Sequence, residues 1–139
     1  MAWLLDTNVL SELRKGQAAH PNVRAWAVSA RRERQYLSVL SLGEIHSGIQ
    51  RIRGKDPGQA VALEIWLKDL KNRYGAETLP VCVAVAERWG VLNSLRTFPA
   101  VDGLLAATAW VHRLRIVTRN TSDFLDAGVE VFNPFDSGR

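Results

Sequence analysis

LLDTNVLSEL, residues 4–13, runs from leucines straight into an aspartate, then a threonine, an asparagine and further apolar positions. The fold turns on where a strand stops here and a helix starts. Residues 2–5, AWLL, read as a short buried strand, and residues 7–15 as a helix closed by Gly16. Asp6 stands at the junction, a position that suits both a helix cap and a ligand at a strand's carboxyl end.

The same alternation recurs along the chain. Pro21 opens a second helix to about Glu33, with Val23, Trp26, Ala27 and Ala30 at helical spacing. QYLSV (35–39) is the second expected strand. SLGEIHSGIQRI (41–52) is an amphipathic helix with Leu42, Ile45, Ile49 and Ile52 on one stripe, ended by Gly54. Asp56 caps and Pro57 opens a helix to about Tyr74, stopped by Gly75. TLPV (78–81) is the third strand and residues 83–96 a helix. FPAVDGLLAATAWVHRL (98–114) holds another helix, apolar on nearly every face through Val111 and so expected to be buried. RIVT (115–118) and VEVF (129–132) are the last strands, separated by the loop RNTSDFLDAG with a helical turn in it. Short apolar strands alternating with helices predict a three-layer α/β/α fold with a central parallel sheet, one domain over residues 1–139.

Composition narrows the class. The 139 residues, 47% of them hydrophobic, suffice for one sizeable core. There is no leader pattern and no run of eighteen apolar residues, so a soluble, cytoplasmic protein without membrane attachment is expected. The single cysteine, Cys82, excludes an internal disulfide and reads as a small buried apolar residue. His20, His46 and His112 lack zinc spacing, and no phosphate-binding glycine loop or dinucleotide fingerprint occurs. The five tryptophans read as core.

The net charge is +4, with basic clusters at 14–16, 31–34, 51–55 and 112–115. Set against this are four acids at corresponding places: Asp6 after the first strand, Glu44 opening the helix after the second, Asp102 opening the buried helix, and Asp123 after RIVT. Each has a structural reading. Asp6 suits a cap, Ser41 with Glu44 fits a capping box, Asp102 sits in a first helical turn, and Asn120 or Ser122 suits a cap beside Asp123. Jointly they point elsewhere, because elements that follow parallel strands converge although these positions span 117 residues. Four crowded carboxylates repel one another, and a divalent cation reverses that repulsion. Hard oxygen donors suit Mg²⁺ or Mn²⁺. With four negative charges gathered in one pit, the net +4 leaves +8 on the rest of the chain, a surface suited to a polyanion.

LLDTNVLSEL, SLGEIHSGI, AVDGLLAATA, IVTRNTSDF and VEVFNPF, in this order and spacing, resemble the PIN-domain ribonucleases of the VapC toxin family, including its FitB-like branch. The resemblance covers essentially the whole chain. It implies a toxin of a type II toxin–antitoxin system that hydrolyses RNA phosphodiester bonds with Mg²⁺ or Mn²⁺. Asp6, Glu44, Asp102 and Asp123 match the family's acidic quartet. Asp6 and Asp102 are the expected direct metal contacts, Glu44 and Asp123 contacts made directly or through water, and Thr7 and Asn120 supporting polar residues. A homodimer, a larger toxin–antitoxin assembly, inhibition by a small antitoxin, and promoter DNA reached only through that antitoxin are further implications. Arg14, Lys15, Arg51 and Arg53 are the expected RNA-backbone contacts.

Two other readings stay open at this stage. A non-catalytic partner-binding module would use the acids only as caps and act with a DNA-binding antitoxin. A phospho-acceptor domain is disfavoured because Asn8 stands where a dehalogenase-type phosphatase needs its second aspartate, and Val83 where a receiver needs its acceptor.

Overall fold

The structure, a computed structural model, describes residues 2–136. The expected domain limits of 1–139 therefore include Met1 and residues 137–139, which lie outside the described residues.

Five strands form one parallel sheet: β1 (Trp3–Leu5), β2 (Gln35–Ser38), β3 (Thr78–Leu79), β4 (Arg115–Val117) and β5 (Val131–Phe132), in the order β3-β2-β1-β4-β5. Six helices connect them: α1 (Thr7–Leu13), α2 (Pro21–Ser29), α3 (Val39–Ile52), α4 (Pro57–Tyr74), α5 (Val83–Leu95) and α6 (Ala100–His112). The chain steps outward from β1 to β2 to β3, then returns across the sheet to β4. Parallel crossovers are right-handed, so reversing the direction of travel moves the connecting helices to the other face. Alternate side chains of β1 record this. Trp3 and Leu5 enter a core with residues of α1 to α4, whereas Leu4 enters one with residues of α5 and α6. The expected three layers follow.

The reversal falls between β1 and β4. Where neighbouring strands send their chains to opposite faces, their carboxyl ends leave a crevice, the usual ligand position in open α/β sheets. Leu5 pairs with Val117 in register, which sets Asp6 opposite Thr118 just beyond the strands. The backbone N–H of Asp6 donates to the Val117 carbonyl at 2.9 Å.

Several expectations are corrected. Helix α3 starts at Val39, not Ser41, because the Ser38 hydroxyl caps it by accepting from the Leu40 N–H at 3.0 Å. Glu44 thus lies in the second turn and the Ser41–Glu44 capping box does not form; Ser41 is buried inside the helix. Helix α2 ends at Ser29, four residues early, and β3 and β5 shrink to two residues each. Cys82 is exposed rather than buried, because it lies past the end of the edge strand β3, at the start of α5. Trp3 and Trp26 are buried, but Trp110 is 48% exposed, its ring covered on one side by the Arg88 guanidinium at 4.1 Å. Among the described residues no helix is long and apolar enough to cross a membrane.

Candidate functional site

The carboxyl edge of the sheet assembles the four acids from four separate elements. Asp6, half-buried in extended backbone, caps α1: its Oδ1 accepts from the Thr7 N–H at 2.8 Å. The Thr7 hydroxyl donates to Glu44 Oε1 at 2.6 Å, tying α3 to the start of α1. Asp102 lies in the first turn of α6, and Asp123 in a short 3₁₀ turn, Thr121–Phe124, after β4. The four share one electrostatic neighbourhood. Burial raises the Asp6 carboxyl above its ordinary value; bonds from Thr118 and the Thr7 N–H oppose this, and the charges of Glu44 and Asp123 add to it. Burial also raises Asp102, followed by the charges of Asp123, Asp6 and Glu44.

Thr118, unmarked in the sequence reading, is fully buried at the centre of this edge. Its bonding fixes a direction. The Arg119 N–H donates to Asn8 Oδ1 at 3.1 Å, so the other end of that amide, Nδ2, faces Thr118 Oγ1 at 3.2 Å as a donor. The Asn120 N–H donates to the same hydroxyl at 3.0 Å. With both acceptor positions taken, Thr118 spends its one proton on Asp6 Oδ2, 2.8 Å away. Asn8 Nδ2 also approaches that oxygen at 3.4 Å. Asp6 is therefore surrounded by donors, the setting of an ionised carboxylate. The expected support from Asn120 comes through its backbone N–H, since its side chain makes no capping bond. The register of β1 against β4 is the signal for Thr118: the residue opposite Asp6 is the one placed to bond it.

Among the described residues no lysine or arginine forms an ion pair with the cluster. Among the described residues the ion pairs are Lys15 with Glu12, Arg34 with Glu77, Arg53 with Glu64, Arg73 with Asp69 and Arg115 with Glu130. None includes the four acids. Two of the expected RNA contacts, Lys15 and Arg53, are engaged in these pairs, and Arg14 lies 5.6 Å over Trp66. Arg96 and Arg119 are also basic residues at the acid-bearing segments. Arg96 donates to the Leu125 carbonyl at 2.8 Å, and Arg119 stacks 3.9 Å over Phe135.

Among the described residues, no three or more His, Cys, Asp and Glu side chains are set to close a metal site by themselves. A cation here would draw on fewer protein ligands than that. This fits Mg²⁺, which keeps several waters and takes one or two carboxylates plus substrate phosphate oxygens. The donor set is all oxygen, the hard chemistry that Mg²⁺ and Mn²⁺ prefer.

The family model described as PIN domain matches residues 3–129. The chain belongs to the PIN-domain family. It is 35% identical over 140 residues to Toxin FitB of Neisseria gonorrhoeae, covering 95% of this chain and 97% of that protein. It is 29% identical over 146 residues to the VapC ribonuclease Y4jK of Sinorhizobium fredii, covering 96% and 97%. The crystal structure of FitAcB from Neisseria gonorrhoeae superposes with a TM-score of 0.85 at 32% identity, over 96% of this chain and 98% of that one. These likenesses place this PIN domain in the FitB/VapC branch.

Proposed function

We propose that this PIN-domain protein is the toxin of a type II toxin–antitoxin pair and acts as a Mg²⁺- or Mn²⁺-dependent ribonuclease, with residues 1–139 working as a single domain. The observation that carries the reading is the gathering of Asp6, Glu44, Asp102 and Asp123 at the sheet's switch point, with no ion pair to any of them among the described residues. Caps alone do not require that. The names of its relatives, a toxin and a ribonuclease, agree with the chemistry of the site.

In this reading Asp6 and Asp102 hold the cation directly, and Glu44 and Asp123 complete its surroundings directly or through water. The bound ion supplies Lewis acidity: it activates water and offsets charge at the phosphate. The protein's share is placement. Thr118, Asn8 and the Thr7 N–H fix the Asp6 carboxylate and keep it an acceptor, while the Thr7 hydroxyl fixes Glu44. Positioned groups of this kind avoid reorganisation when the phosphodiester reacts. The RNA backbone meets a chain that is basic apart from its acids, so its affinity falls with salt. Partners follow the family: a second copy of the chain, a small antitoxin that blocks the acids, a larger assembly of the two, and promoter DNA contacted by the antitoxin.

Asp102→Asn is the sharpest test, because among the described residues the Asp102 carboxylate makes no hydrogen bond that the amide would disturb. The variant is expected to fold like the wild type, bind Mn²⁺ more weakly, and lose RNA cleavage and growth arrest. Cleavage that persists in Asp102→Asn, or in the wild type with excess chelator, defeats the nuclease reading. A wild type that neither binds Mn²⁺ nor cuts RNA makes the protein a partner-binding module.

A further inference from the structure

We propose that Arg96 is a positioning residue that sets the spacing of Asp102 and Asp123; this rests on reading the acids as a cation site. Asp6 and Glu44 are held by hydrogen bonds to their own carboxylates, but among the described residues the carboxylates of Asp102 and Asp123 have none. They ride on two elements that pack side by side, with Phe124 of the turn buried in the same core as Leu105 of α6. Asp102 is on the first turn of α6, and Asp123 on the turn after β4.

Arg96 adds a polar tie between them. It ends α5 in extended backbone, and its guanidinium folds back over Phe98 with 3.6 Å to the ring centroid. Phe98 is buried and fits closely against α6: a Cβ added to Gly103 would lie 3.2 Å from the Phe98 Cβ and 3.0 Å from the Trp89 ring. The N–H donors of the guanidinium reach the Asp123 segment. Nη2 donates to the Leu125 carbonyl at 2.8 Å and, at 3.5 Å, to the carbonyl of Asp123 itself, while Nη1 donates to the Thr97 carbonyl at 3.4 Å. Among the described residues these are the hydrogen bonds that join the entry of α6 to the Asp123 turn. All three acceptors are backbone carbonyls, and no ion pair of Arg96 with a carboxylate is present among the described residues. Its direct contacts are therefore with the backbone that carries Asp123 and not with a carboxylate. A planar fork stacked on a buried ring can brace two segments in a way that a flexible ammonium cannot.

The test compares wild type, Arg96→Gln and Arg96→Lys in three measurements: Mn²⁺ binding followed by paramagnetic resonance, steady-state RNA cleavage, and hydrogen exchange of amides 121–127 in metal-free protein. For Arg96→Gln the expected results are faster exchange in that segment and a fall in Mn²⁺ affinity on the order of tenfold. A fall in kcat of up to about a hundredfold, with KM and its salt dependence unchanged, completes the pattern. Arg96→Lys is expected not to restore either quantity. Rescue by lysine, or a raised KM with a shallower salt slope and intact Mn²⁺ affinity, overturns the proposal and makes Arg96 a phosphate contact. Unchanged exchange and Mn²⁺ affinity in Arg96→Gln overturn it outright. A wild type that binds no Mn²⁺ removes the reading of the acids and this proposal together, whereas a wild type that binds it beside an unaffected variant removes only this one.

Discussion

Replacing Thr118 with valine removes one hydroxyl and almost no volume. The side chain is fully buried, so the variant isolates the hydrogen bonds from any cavity. The donation to Asp6 at 2.8 Å is to a charged group, worth about 1.5–3 kcal/mol, and the bonds accepted from Asn120 and Asn8 are worth about 0.5–1.5 kcal/mol each. Asn120 is exposed and Asn8 half-buried, so water recovers part of the accepted bonds but little of the donated one. The net loss is about 2.5 kcal/mol. At roughly 4 °C per kcal/mol for a chain of this size, metal-free Thr118→Val melts roughly 10 °C below the wild type. Asp6 changes as well. Thr118 leads the interactions that oppose the upward push of burial, Glu44 and Asp123, so without it the carboxyl holds its proton to higher pH. Calorimetry at neutral pH in chelator measures the first effect, and Mn²⁺ titrations across a pH series measure the second. Thr118→Ser, which keeps the hydroxyl, is expected to retain most of both. A Thr118→Val protein that melts within about 2 °C of the wild type, with an unshifted pH dependence of Mn²⁺ binding, refutes the directional network.

Two more predictions concern Asp102 and its seat. Gly103→Ala would put a Cβ 3.0 Å and 3.2 Å from Trp89 atoms and 3.2 Å from the Phe98 Cβ, so relieving the overlap must shift a ring or the first turn of α6. The expected cost is about 1–3 kcal/mol in thermal unfolding, with weaker Mn²⁺ binding because Asp102 adjoins the shifted residue; unchanged melting and binding would show that the seat has slack. The second is a pH effect. Asp6 and Asp102 are both raised from 3.8, so the folded state holds their protons more tightly than the unfolded chain. Their contribution to stability is full below that value and is lost as pH rises through their folded values. In chelator, Asp102→Asn is therefore expected to gain on the wild type as pH climbs from about 4 toward 7, and saturating Mn²⁺ to close the gap. Glu12 and Glu64 are lowered by Lys15 and Arg53 and act with the opposite sign, but identically in both proteins, so the difference isolates Asp102. A wild type that gains on the variant as pH rises would contradict the prediction.

The order of elements was legible because its signals are local. AWLL ahead of Asp6, Pro57 after Asp56 and Gly75 after Tyr74 mark boundaries through interactions spanning a few residues, and the Asp56 carboxylate does cap α4 by accepting from the Gln59 N–H at 3.0 Å. The acids stand out for the same reason, since Asp6 and Asp123 follow strands and Asp102 opens a helix, whereas Glu44 lies in the second turn of α3. Errors arose where the competing signals were both local. Ser38 and Ser41 each suit a cap, and only the end of β2 decides between them. Cys82 sits in an apolar stretch that looks buried, but β3 is the sheet's edge and the chain leaves it after Leu79. The surroundings of individual arginines were not legible. Arg14, Arg34, Arg88, Arg96, Arg115 and Arg119 lie over aromatic rings, some far away in sequence, and no spacing rule marks such pairs.

Asp6 shows what the sequence alone leaves undecided. A carboxylate offers about four acceptor positions. The Thr7 N–H takes one on Oδ1, and Thr118, with Asn8 at longer range, takes up to two on Oδ2. What remains is room for a single-oxygen contact in a fixed direction, so capping leaves space for the proposed ligation on the same side chain. Glu44 accepts one bond, from Thr7, while among the described residues the carboxylates of Asp102 and Asp123 accept none. The four acids are therefore chemically unequal: one locked, one half-locked, and two set only by the segments that carry them. Isosteric changes at Asp6 disturb a hydrogen-bond network as well as a charge, because an amide there would face donors that cannot turn around. Changes at Asp102 and Asp123 disturb charge alone, which makes those two the positions where a loss of cation binding reports on ligation without a confounding change of fold.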